Sequence, residues 1–180
     1  MIKMDHLKDA MNAFGNKVVA DAKQNLKDKK KVDTGTLENS VKNNGVIFHK
    51  NSMTLNIVMS DYGAFVDKGV RGVGGVRKQT SKFKRTNNKG KMWKQNGGDS
   101  PFSFKAGIKP SVKHFVDWSN KRGLSPFAVR ESVYHQGIKP THFLRDAIND
   151  NIKDAPKEII DAFALDVKST LDLIIKSNIK

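Results

Sequence analysis

The chain has 180 residues, with 33 Lys or Arg against 18 Asp or Glu and a formal net charge of +15 at pH 7. That length suffices for one domain over 1–180 with its own core, and the charge calls for acidic partners, nucleic acid or an anionic protein surface before a membrane. Without cysteine there are no disulfides or thiolate metal sites, and no run approaches the roughly 20 apolar residues of a membrane helix, so a soluble intracellular product is expected.

Leu7, Ala10, Met11, Phe14, Val18, Ala22 and Leu26 recur at steps of three and four, which predicts an amphipathic helix over about 5–29 with Asp5 as N-cap. Gly15 should weaken it by about 1 kcal/mol relative to alanine. Asp33-Thr34-Gly35 then signals a turn, with Thr34 or Thr36 capping a short helix that carries Leu37 and Val41 on one face. Val46–His49 and the alternating Met53, Leu55, Ile57 and Met59 predict an antiparallel hairpin through Lys50, Asn51 and Ser52, one face on the first helix.

Lys68 to Gly98 carry ten Lys or Arg and no acid, with seven glycines and few apolar residues. Such a stretch cannot bury enough surface to offset its ordering entropy, so a mobile basic arm over about 70–100 is expected, free alone and ordered on assembly. Its candidate contacts to DNA or to a protein partner are Arg71, Arg77, Lys78, Lys82, Lys84, Arg85, Lys89, Lys91, Trp93 and Lys94. Trp93 and Phe83 are placed either to stack on bases or to dock on a neighbouring subunit.

Past the arm, Phe102, Phe104, Ala106 and Ile108 alternate as a strand would. Inserted helices follow at about 110–136: one carrying Val112, Phe115 and Val116 up to Gly123, then one opened by Ser125-Pro126 and stopped at Gly137. Pro140-Thr141 starts a helix through Phe143, Leu144, Ala147 and Ile148. A last one after Asp154 has a wide apolar stripe: Ile159, Ile160, Phe163, Ala164, Val167, Leu171, Ile174 and Ile175. The fold class is therefore α+β: a small antiparallel sheet flanked by long N- and C-terminal helices, with a basic insertion and extra helices.

No chemistry-bearing constellation is visible. His6, His49, His114, His135 and His142 stand at no metal-ligand spacing, and no acidic cluster suits Mg²⁺. Gly72-Val73-Gly74-Gly75 lacks the helix and Lys-Ser/Thr of a phosphate loop. No catalytic, metal or cofactor residue is assigned, and an enzyme is not expected.

Three stretches in order resemble one family. Asp33-Thr34-Gly35-Thr36-Leu37-Glu38-Asn39-Ser40-Val41 is similar to its first motif. Tyr62-Gly63-Ala64-Phe65-Val66-Asp67-Lys68-Gly69 is similar to its second, with Asp67 for Glu and Val70 for Thr. Gly137 to Ala147, through Pro140, Phe143 and Leu144, is similar to its closing motif. The family is the neck, or tail-completion, proteins of long-tailed bacteriophages, and residues 70–136 depart from its usual compact form. The resemblance implies a structural role for Asp33, Gly35, Leu37, Tyr62, Phe65, Gly69, Pro140, Phe143 and Leu144, with Tyr62, Phe65, Phe143 and Leu144 in one core beneath the hairpin. It also implies a virion protein made in the host cytoplasm. Its partners would be its own copies in a hexameric ring at the head–tail joint, and neighbouring head-closure, tail-tube or portal-associated proteins. The basic arm could meet packaged DNA through phosphates. The rival reading is a non-sequence-specific nucleic-acid-binding protein.

Overall fold

The computed structural model describes residues 4–50, 52–75 and 93–178, with side chains to 173. They form an α+β protein in two compact units: Met1–Ser60 with Phe143–Lys180, and Asp61–His142. Expected as an arm and inserted helices, 70–100 and 110–136 fall in the second unit, which also takes in 61–69 and 101–109.

The first unit is built on α1, Asp5–Asp28, which buries Val18, Ala22 and Leu26, three of the seven stripe residues. Asp5 is not the N-cap. Met4 holds that position without a side-chain bond, and the capping comes from the far end of the chain: Asp166 accepts from His6 N at 3.1 Å and Leu7 N at 2.9 Å. The pairing satisfies both first-turn donors and the buried carboxylate, which is 2% exposed.

Neither threonine caps α2, Thr36–Ser40: Gly35 takes the N-cap position at φ 75°, while the Thr34 and Thr36 hydroxyls bond to each other at 2.8 Å. Leu37 and Val41 are buried. The hairpin pairs β1, Lys42–Phe48, with β2, Met53–Val58, antiparallel, Val46 opposite Leu55 and Asn43 opposite Ile57 across a bulge. Strand β1 begins four residues before the expected Val46. His49 N donates to Ser52 O at 2.8 Å across the turn; Asn51 lies outside the described residues. The hairpin packs on α1. At Gly15 a Cβ would stand 2.9 Å from both Asn43 Nδ2 and Leu55 Cδ1, so the helix-weakening glycine is what lets the sheet approach.

Also against α1 lie α6, Phe143–Asn151, and α7, Ala155–Asn178. Phe143 and Ala147 are fully buried, and Asn151 ties α6 to α1 by donating to Asp21 Oδ2 at 2.6 Å, while also donating to Ala147 O of its own helix at 2.8 Å. Helix α6 starts at Phe143, not at Pro140-Thr141. The apolar stripe of α7 forms its packing face only in part: Ala155, Ala162 and Asp166 are buried and Ile159 and Val167 half-buried, whereas Ile160, Phe163 and Leu171 are exposed. The side chains of Ile174 and Ile175 lie outside the described residues.

In the second unit α3, Gly63–Lys68, buries Gly63 and Asp67, one turn apart. A two-residue ribbon pairs β3, Val70–Arg71, with β4, Gly137–Ile138. A 3-10 turn, Val112–Phe115, capped by Ser111, leads into α4, Val116–Asn120. Then α5, Pro126–Gln136, has Ser125 at the N-cap and Pro126 in its first turn, and it ends at Gly137 with φ 84°. The alternating Phe102 to Ile108 make no strand, only an isolated parallel bridge of Ser103 with Arg71. A turn from Lys105 to Ile108 interrupts them, fixed where Tyr134 Oη accepts from Gly107 N at 2.7 Å. Among the described residues no helix is long and apolar enough to cross a membrane.

Candidate interaction site at the base of the basic segment

The two ends of the expected arm are held by backbone hydrogen bonds that leave no mark in composition. Arg71 is paired on both sides, through the ribbon to Gly137 and through Arg71 N to Phe102 O at 2.9 Å and Phe104 N to Arg71 O at 3.0 Å. Val73 N then donates to Tyr134 O at 3.0 Å and Gly74 N to His135 O at 2.9 Å, so the chain runs along the last turn of α5. On the return side, Asn96 N donates to Gln136 O at 2.6 Å and Gln95 Nε2 to Gly72 O at 2.8 Å. Trp93 N donates to Gly75 O at 3.0 Å, which joins the two residues next to 76–92.

The expectation of a mobile arm over about 70–100 is therefore corrected for 71–75 and 93–98. Charge and glycine content predict a solvated segment, but glycines are also what a close ribbon needs. A Cβ on Gly137 would overlap Val70 O and Gly72 N. Gly69, at φ 74°, has Ile138 O 2.6 Å and Pro140 Cδ 2.8 Å from where its Cβ would be.

Trp93 packs face to face on His135, ring centroids 5.4 Å apart and planes 2° apart, and Tyr134 meets His135 edge-on at 5.0 Å. His135 Nδ1 bonds Gly74 O at 2.6 Å. The tryptophan expected to stack on bases or dock on a neighbour stacks within its own unit. Arg71 and Lys94 are exposed. Arg77, Lys78, Lys82, Lys84, Arg85, Lys89 and Lys91 lie outside the described residues, as does Phe83.

Beside this base, Lys109 Nζ bonds both Glu131 oxygens at 2.9 Å, and Arg130 reaches Glu131 Oε1 at 2.9 Å. The Lys109 bonds hold the Glu131 carboxyl below the usual carboxylate range; partial burial opposes them, and Arg130 adds to them.

The family-like residues separate into two groups. Phe143 and Leu144 belong to the first unit, Phe143 fully buried and Leu144 half-buried. Tyr62 and Phe65 belong to the second and are 43% and 41% exposed, so the single core beneath the hairpin does not form. With Gly63 and Asp67 on the buried side of α3, the other side carries Tyr62, Phe65 and Val66. These line an apolar cleft of about 560 Å³ with Val70, Phe102, Phe104 and Ile138. Phe65 and Phe102 meet edge to face at 4.6 Å.

The second and third family-like stretches do meet. Thr141 Oγ1 donates to Val66 O at 2.8 Å, Thr141 N to Val66 O at 3.1 Å and His142 N to Asp67 O at 2.9 Å. Those bonds use the donors of Thr141 and His142, and His142 stands at φ 55°, outside the right-handed helical region, so α6 begins one residue later. Leu37 of the first stretch is buried in the first unit, Gly35 makes its turn and Asp33 is exposed.

Among the described residues no three His, Cys, Asp or Glu side chains converge as a metal site. No protein-family model, curated protein or solved structure matches the chain.

Proposed function

We propose that this protein is a virion structural subunit that closes into a ring, hexameric by resemblance, at the head–tail joint or tail top of a long-tailed phage. The observation that carries the reading is the meeting of Tyr62–Gly69 with Pro140–His142. Two stretches some seventy residues apart, each similar to the same family, are bonded to each other. Gly69 and Pro140 approach too closely for any other residue at 69. The aromatic cleft of Tyr62 and Phe65 supports the reading from another side. Exposed apolar surface of this kind serves partner contacts, and a ring subunit needs complementary surfaces on two sides. Its neighbours would be head-closure, tail-tube or portal-associated proteins. Native mass spectrometry of the full chain tests the proposal: a hexamer, or paired hexamers, is expected, and one or two copies at every concentration would overturn it.

A second reading, non-sequence-specific nucleic-acid binding, is favoured by seven cations without an acid between Gly75 and Trp93, whose backbones are joined. In the ring these cations would face packaged DNA or an acidic neighbour.

A further inference from the structure

Helix α7 has two unlike faces. The inward face carries the buried Ala155, Ala162 and Asp166 with Ile159 half-buried among them. Because Asp166 bonds the first turn of α1, the twelve residues from Val167 to Asn178 run on past the start of that helix. The adjoining face is apolar and bare: Ile160 is 64% exposed, Phe163 44% and Leu171 53%, with Ala164 exposed among them. Along its outer border stand Lys157, Asp161, Lys168 and Asp172, all exposed.

The order of these charges carries the inference. Lys157 and Asp172 are equally far from the midpoint between Ala164 and Leu165, on opposite sides of it, and so are Asp161 and Lys168. The exposed Ile160 and Leu171 lie on opposite sides of that midpoint too, though not at equal distances from it. We infer that α7 pairs with α7 of a second copy of this chain, antiparallel, about a two-fold axis beside Ala164.

In such a pair, residues equally distant from the axis face each other. Lys157 then meets the partner's Asp172, and Asp161 meets the partner's Lys168, with each contact made twice by symmetry. Parallel pairing would set each charge against its own kind. Exposed ion pairs add little affinity by themselves, so burial of the apolar face drives association and the charges fix direction and register. Repulsion between two chains of +15 opposes any self-contact. Helix α7, with three lysines against four acids, is a place where that repulsion is small. The contact closes at two copies, whereas ring contacts run head to tail, so this pairing and the ring can fail independently.

The absence of cysteine gives a clean test. In the full chain, Ala164→Cys should form a disulfide-linked pair under mild oxidation, read on a non-reducing denaturing gel. Leu165→Cys, also exposed but about 100° further round the helix, should not. In the Ala164→Cys background, Asp161→Lys should lower the yield of linked pairs severalfold, and adding Lys168→Asp should restore it. Circular dichroism should be unchanged throughout, because all four positions are exposed. No linkage through Ala164→Cys, or equal linkage through Leu165→Cys, would overturn the pairing. Failure of the charge swap to restore it would overturn the antiparallel register.

Discussion

At the residue scale, three side chains or their absence carry much of the structure. Phe143 is the largest fully buried side chain among the described residues, so Phe143→Ala should cost about 3–5 kcal/mol in chemical denaturation. A cost below about 1 kcal/mol would mean the Phe143 side chain is not buried as described. Asp166 is the buried acceptor for two α1 donors, and Asp166→Ala should cost about 1–3 kcal/mol, Asp166→Asn less because the amide oxygen still accepts. Equal losses for both variants would contradict that role. Gly137 has no room for a Cβ and sits at φ 84°, so Gly137→Ala should part the ribbon. Amide hydrogen exchange reads this directly: Val73 and Gly74, which donate to Tyr134 and His135, should lose their protection while α1 keeps its own.

At the element scale, the sequence is informative wherever one segment decides its own structure. The spacing of Val18, Ala22 and Leu26 locates α1, alternation from Met53 locates β2, and Ser125-Pro126 with Gly137 brackets α5. Long-range partners are hidden. Nothing near Met4 foretells a cap from a residue 160 positions away. The stripe of α7 reads as a core face, yet among its described side chains only Ile159 and Val167 are half-buried, and the buried positions are alanine and aspartate, which hydrophobicity does not single out. The ends of the basic segment read as free because the groups that hold them are backbone N–H and C=O, which every residue has. Trp93 stands out in the sequence, but its stacking on His135 depends on α5 ending where it does. Near that point the Lys109–Glu131 link gives a pH test. The folded-state pKa of Glu131 is lowered, so the stability it contributes is present above the unfolded carboxylate value and is lost as pH falls through the folded one. The pair is partly exposed, so Glu131→Gln should cost no more than about 1 kcal/mol at pH 7. The difference from the wild type should shrink on acidification below about pH 4, and a difference that grew instead would reverse the assigned sign.

At the scale of the whole molecule, charge and shape serve different ends. Most of the excess positive charge lies between Lys68 and Gly98, and the described ends of that stretch are fixed on one side of the second unit. Replacing Lys78, Lys82, Lys84 and Arg85 with glutamine should leave the unfolding temperature nearly unchanged, because the stretch from Lys68 to Gly98 holds no acid for them to pair with. Duplex DNA affinity should fall, and its salt dependence should flatten by about 0.9 in logarithmic slope for each phosphate no longer neutralised. An unchanged slope would turn the segment toward an acidic protein neighbour. Beyond the charge, the apolar cleft at Tyr62 and Phe65 and the bare face of α7 leave exposed apolar surface, to which the proposed assembly would give a use. Electron microscopy of the purified full chain, raised in concentration until association is complete, tests that account most directly. Closed rings with an open lumen, singly or face to face in pairs, are the predicted result; single particles or open filaments alone would contradict it.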